Sequence, residues 1–186
     1  MSTQAEINAV LDFWRSEGPQ KWFGGGSVFD EEVKNHLLPA YERAVAGELD
    51  DWQDAPESAV ARIILLDQVP RNVFRGTPRA FATDPIALAS AEDAVARGFD
   101  RDQAVNAPPA LRGFFYLPFM HAENERAQAR CVALYEAWGD ENGLAFARIH
   151  QDAITRFGRF PHRNSILGRV TTPEEQAYLD GGGFSG

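Results

Sequence analysis

The chain has 186 residues, 44% of them hydrophobic and 24% charged, with a formal net charge of −9. That length suits one domain with its own core, and the balance excludes a wholly disordered chain. So negative a total works against non-specific binding to nucleic acid or anionic lipid, and neither is expected as a partner.

Thr3 and Glu6 have capping-box spacing, and Ile7, Val10, Leu11 and Trp14 then share one helical face. This predicts a first helix ending near Gly18-Pro19. A loop over 18–28 is expected next, because Gly24-Gly25-Gly26 loses too much backbone entropy in a regular element. Asp30 is placed to cap a second helix, with Val33, Leu37, Tyr41 and Val45 as its stripe and Gly47 as its stop. Pro39 inside it predicts a kink or a break. Pro56 opens a helix whose buried face is Ala59, Ile63 and Leu66, and Pro70 is expected to end it.

Thr83-Asp84-Pro85 begins another helix, stopped at Gly98, and a loop over 99–109 leads to a short apolar helix reaching Pro118. Two longer helices, about 122–138 and about 142–157, are divided by Gly139 and closed by Gly158. Thr172-Pro173-Glu174-Glu175 joins a cap, a proline at the first helical position and a capping-box glutamate, which predicts a last short helix. Residues 181–186, with three glycines, read as a frayed tail. No segment alternates with period two for long enough to make a strand. The expected fold class is all-α: stacked antiparallel helical hairpins in a single domain over 1–186, although no repeat of about 34 residues carries the tetratricopeptide signature.

The lone Cys131 cannot form an internal disulfide, and its apolar helical setting predicts a packed, inert thiol. Met1 to Ile7 lack the basic start and apolar core of a secretory signal. The densest apolar stretch, Phe114 to Met120, contains Pro118 and falls far short of the ~20 residues that span a bilayer. A cytoplasmic location without a membrane partner is expected, and oligomeric state is left open.

Positive charge is concentrated. Residues 62–79 carry +3 and residues 153–173 carry +4, so the remainder carries −16. In Leu65 to Thr77, Asp67, Gln68, Arg71, Asn72 and Arg75 crowd beside large apolar neighbours. An arginine fork holds a carboxylate or phosphate through two parallel hydrogen bonds, so Arg71 and Arg75 are candidate anion clamps. The alternative is that Asp67 pairs with Arg71 and locks the turn. In Arg156 to Arg169, Arg159, His162, Arg163 and Asn164 form a second basic turn. There His162 can serve as a general acid, an orienting donor or a structural hydrogen-bonding residue. Its cationic neighbours are expected to lower its pKa and keep it neutral. Both turns place Arg-Asn shortly after a proline, with a glycine and a threonine downstream, which suggests two turns facing one pocket.

His121 stands two residues before Glu123, a spacing open to metal ligation or proton transfer, and His150 shares an apolar face with Ala147, Ile154 and Phe157. That face makes His150 either a satisfied core residue or a ligand-lining one. His121, His150 and His162 have no recognised ligand spacing, so no metal is expected. No cofactor is expected either: the sequence has no glycine-rich phosphate loop, Gly-x-Ser-x-Gly elbow or dinucleotide fingerprint.

Asp12-Phe13-Trp14, Trp22-Phe23, Leu65 to Thr77, Tyr116 to Glu123, and Arg156 to Arg169 with Thr172 to Glu175 together resemble the mostly bacterial domain of unknown function 924 family. The resemblance covers nearly the whole chain. It implies an all-helical, tetratricopeptide-like fold and no established reaction, and so lends no catalytic residues. Val69 stands where that family usually has phenylalanine, and Ala122 where it usually has serine, which removes a hydroxyl beside His121.

The leading functional expectation is a basic pocket for an anionic, phosphate- or carboxylate-bearing small molecule or a peptide terminus. Its lining would come from Asp67, Arg71, Asn72, Arg75, His150, Arg159, Arg163 and Asn164. The alternative is a hydrolase or lyase in which His121, Glu123 and His162 move protons in the same pocket. A third reading is a purely structural polar network, for which Asp67, Asp84, Glu123 and Asp152 supply carboxylates.

Overall fold

A computed structural model describes residues 4–186, so Thr3 of the predicted capping box lies outside the described residues. The protein is all-helical, and among the described residues no strand forms. Where length suggests one domain, contacts divide the chain into two compact units. One comprises the described residues up to Arg75 with Arg79–Pro118; the other comprises Gly76–Pro78 with Phe119–Gly186.

In the first unit, α1 (Gln4–Trp22) is interrupted where the sequence expects it to end. Gly18 leaves helical geometry at φ 71, ψ 172, and the chain resumes helix from Pro19 to Trp22. The expected loop over 18–28 therefore shrinks to residues 23–25, because α2 (Gly26–Val45) starts early. Gly25 belongs to this tight connection by necessity: a Cβ there would lie 2.5 Å from Phe29 Cβ and 2.7 Å from Lys21 O. The early start also overturns Asp30 as a cap, since it now sits inside the helix, and Pro39 is carried within α2 without breaking it.

Trp14, Trp22, Phe29 and Phe114 form the aromatic centre of this unit. Phe114 meets Trp14 and Trp22 edge-on at centroid distances of 5.7 and 5.0 Å, and Trp22 Nε1 donates to Trp14 O at 2.7 Å. Each buried ring contributes roughly 2–3 kcal/mol through apolar area alone, and edge contacts add to that.

Next come α3 (Pro56–Ile63), a π-helical turn (Ile64–Gln68) and α4 (Val69–Val73). Pro70 does not stop this run, contrary to the sequence reading. A proline removes the N–H that would bond the carbonyl four residues back, here that of Leu66. The Thr83 hydroxyl donates to Leu66 O at 2.6 Å instead, and the turn widens so that Val69 N–H reaches Ile64 O. Thr83 still stands at the cap position of α5 (Asp84–Ala96), but its side chain makes no capping bond because it serves Leu66. The predicted loop over 99–109 holds α6 (Gln103–Asn106), capped by Asp102.

The helix expected to end at Pro118 instead begins there, as α7 (Leu117–His121), because a proline fits a first helical turn better than a last one. In the second unit, α8 (Glu125–Trp138) is capped by Asn124 and α9 (Glu141–Phe157) by Asp140. Gly139 and Gly158 close them in the left-handed region, at φ 80 and 67. The two helices pack together across this short turn. Gly143 allows the close approach, since a Cβ there would lie 2.2 Å from the Tyr135 ring. Gln128, fully buried on α8, donates to the carbonyls of Met120 and Ala122 at 2.7 and 2.9 Å and more weakly to Phe119 O. It thereby fixes the segment carrying His121.

The last helix, α10 (Pro173–Asp180), has the complete predicted capping box between Thr172 and Glu175. Ala153, Ile154 and Phe160 form a core against which Tyr178 and Phe184 pack. Residues 181–186 are therefore not the frayed tail the glycines suggest. Gly183 N–H bonds Tyr178 O at 2.9 Å and Phe184 N–H bonds the Tyr178 hydroxyl oxygen at 3.0 Å. Among the described residues, no helix is long and apolar enough to cross a membrane.

Candidate functional site

The first basic segment is engaged by the protein's own carboxylates. Arg71 donates to both oxygens of Asp84, at 2.8 and 3.1 Å, and to Asp67 O at 2.9 Å, while Asp67 Oδ1 lies 3.5 Å away. Burial pulls the Arg71 pKa down, but Asp67 and Asp84 more than offset it and leave it raised. Gln68 donates to Asp67 Oδ2 at 2.7 Å, and Asn72 donates to Gln68 O at 2.9 Å. Arg75, 62% exposed, clamps both oxygens of Asp30 at 2.8 Å. Here Asp67, Arg71, Asn72 and Arg75 lock a turn, as the structural alternative for Asp67 and Arg71 holds. A cleft of about 250 Å³ in this unit is lined by Gln4, Ile7, Pro56, Glu57 and Asp102 among others, and no predicted site residue reaches it.

The second segment belongs to the other unit and begins in the same manner. Arg159 grips Glu175 with Nε to Oε1 at 2.6 Å and Nη2 to Oε2 at 3.0 Å. Asn164 Nδ2 and Thr172 N–H also donate to Glu175 Oε2, at 3.1 and 2.8 Å. The Arg159 bond, aided by these two donors against the burial penalty, holds the Glu175 carboxyl down at about 2. One glutamate thus completes a helix cap and anchors a basic turn.

Glu123 is bound as tightly. Arg169 donates to Oε2 at 2.7 Å and to Oε1 at 2.9 Å, and Phe160 N–H reaches Oε1 at 2.8 Å. Burial would raise its pKa, but Arg169 and the Phe160 amide outweigh burial and hold it below the carboxylate range. A carboxylate so occupied is a poor proton acceptor, which removes the physical basis for Glu123 as the acid–base residue of the hydrolase reading.

The imidazoles differ. His150 and His162 each lie 5.6 Å from Phe160 by ring centroid, and His121 lies 6.4 Å from His150. His150 Nδ1 lies 2.8 Å from Phe146 O; a carbonyl only accepts, so Nδ1 carries the proton and Nε2 the lone pair. Burial, with His121 and Arg163 as further causes, lowers the His150 pKa to about 3. Burial and Arg163 lower that of His162 to about 4. Both rings are uncharged at neutral pH, and His162 Nδ1 is buried without a hydrogen-bond partner.

Beside them, buried Arg163 lies 4.6 Å over the Phe160 ring and donates through Nη2 to His121 O at 3.1 Å. Asn164 is fully buried, and its Oδ1 has no hydrogen-bond partner. The cluster thus combines a guanidinium, two neutral imidazoles and an apolar floor, a set that can bind an anion without titrating at neutral pH.

Among the described residues, no group of three or more His, Cys, Asp or Glu side chains is disposed to hold a metal. Sequence reasoning missed Phe184, whose ring lies 4.0 Å from His150 and 5.0 Å from His162. An aromatic residue between glycines, in a segment read as a tail, was the available signal.

An all-helical architecture with a buried histidine cluster and arginine–carboxylate clamps defines the class of this protein. The chain belongs to the family described as "Bacterial protein of unknown function (DUF924)", which matches residues 10–183. A solved structure similar to it is the protein of unknown function ATU0120 from Agrobacterium tumefaciens, 46% identical with a TM-score of 0.90. The match covers 97% of this chain and 99% of that one. No curated protein matches it.

Proposed function

We propose that the protein binds an anionic small molecule at the cluster formed by His150, His162 and Arg163 in its second unit. The observation that carries this reading is His162 Nδ1, a buried ring nitrogen with no hydrogen-bond partner beside a buried guanidinium. Buried polar atoms are nearly always paired, so an orphan in such a setting points to a partner from outside. A carboxylate or phosphate suits a guanidinium and an imidazole N–H together. Asp67, Arg71, Asn72, Arg75 and Arg159 support the site only as framework, since their polar groups are engaged within the chain.

The helical pairs fit the tetratricopeptide-like class, α8 and α9 being one such hairpin, and stacks of this class present concave binding surfaces. The net charge of −9 favours a cytoplasmic small-molecule role over nucleic-acid or membrane binding.

Thermal-shift titration with inorganic phosphate, acetate, benzoate and phenyl phosphate tests the site. Bound anion raises the melting temperature with concentration, as RT ln(1 + [L]/Kd) requires. The rise should vanish in His162→Gln and Arg163→Gln. A rise that survives both substitutions, or no rise with any of the four, overturns the reading.

A further inference from the structure

The segment after α10 lies directly on this cluster. Phe184 is partly buried, with its ring 4.0 Å from His150, perpendicular to His162 at 5.0 Å and steeply inclined to Phe160 at 6.0 Å. Gly186 follows so closely that a Cβ on it would stand 3.2 Å from His162 Cδ2. The fastening is slight. The two backbone hydrogen bonds of Gly183 and Phe184 both end on Tyr178. Three glycines precede the ring, and Gly182 holds φ at 79, which an L side chain rarely adopts. One phenyl group on a short glycine leash thus fills a seat walled by two imidazoles and a phenyl.

We infer that residues 181–186 form a strap that closes the cluster with Phe184, and that the ligand which displaces it is an aromatic acid. The inference rests on the anion-site reading above and adds to it a ligand class and a means of control. The ring of an aromatic acid takes the Phe184 seat, where edge and face contacts with the imidazoles and Phe160 are already laid out. Its acid group supplies the negative charge that Phe184 lacks, toward Arg163. An aliphatic acid has the charge but no ring to compete for the seat. The strap therefore sets a threshold of affinity and favours aromatic acids over small ones. When closed it lowers apparent affinity by the fraction of open molecules.

The test compares the wild type with Phe184→Ala and, as a second route to the open strap, Gly182→Pro, which cannot keep a positive φ. Two readouts are taken: the carbethoxylation rate of His162 with diethyl pyrocarbonate, and benzoate and acetate affinities from the histidine ring proton shifts. Opening the strap should speed carbethoxylation several-fold in both variants. It should tighten benzoate by about tenfold, the factor for a strap closed about nine-tenths of the time, and leave acetate weaker than benzoate. Equal carbethoxylation rates in all three proteins overturn the strap. Faster carbethoxylation with no binding of either acid keeps the strap but sinks the anion site and the ligand class with it. Acetate binding as tight as benzoate in the open variants overturns the aromatic preference alone.

Discussion

Lowering the pH should destabilise this protein well above the range where carboxylates titrate, and His150 is the main reason. Its ring is 6% exposed and its pKa falls from 6.5 to about 3 in the fold. A base with a depressed folded pKa stays neutral in the native state while the unfolded chain takes up the proton. Stability is therefore full above the ordinary value and is lost as pH falls from there toward the folded value. Inside that window the loss approaches about 1.4 kcal/mol per pH unit, so the step from about pH 7 to about pH 5 removes roughly 2 kcal/mol. His162 adds a smaller loss of the same sign. Glu123 and Glu175 have lowered pKa values, so their contributions are lost only at more acidic pH, outside this window.

Urea unfolding followed by far-UV circular dichroism at several pH values measures the slope directly. His150→Gln removes the proton site and should flatten the slope by that amount, while lowering stability at neutral pH. A wild type equally stable at both ends of the window, or a variant with an undiminished slope, would refute a neutral buried His150.

Arg71→Ala should cost about 3 kcal/mol in urea unfolding, because Asp67 and Asp84 lose the guanidinium between them, and Arg71→Lys should not restore it. Arg75→Ala should cost under about 1 kcal/mol, since its pair with Asp30 is largely exposed on the arginine side. Gln128→Leu should lower the melting temperature by several degrees, leaving the carbonyls of Met120 and Ala122 without their donor. Cys131, fully buried with its thiol pushed up to about 12, should react with iodoacetamide only at the rate of unfolding; fast alkylation of native protein would contradict that.

Much of the helical layout was legible because it is local. The stripe Val33, Leu37, Tyr41, the glycine stops at Gly139 and Gly158, and the Thr172–Glu175 box each depend on residues within a few turns. Failures came where a distant group intervened. Pro70 reads as a stop until Thr83 supplies the donor for Leu66 O, and Asp30 reads as a cap until Arg75 claims it from 45 residues away. The candidate site follows the same division. The two basic segments stood out by charge, and neutral His162 was expected from its arginine neighbours, with burial proving the larger cause. Which arginines are occupied was not legible, because the partners Asp84 and Glu123 lie 13 and 46 residues from Arg71 and Arg169.

The π-helical turn at Ile64–Gln68 makes this stretch sensitive to length in a way its composition does not reveal. A π turn holds one residue more than an α turn, so it works as a phase shifter between the helix before it and the helix after it. Deleting one residue there would let the segment wind as plain α-helix and rotate everything downstream by roughly 100° about the axis. Arg71 would then face away from Asp84, and Leu66 O away from Thr83, with every side chain intact. Variants differing by one residue in this turn should thus lose the lock outright, while those differing only in side chain at its apolar positions keep it.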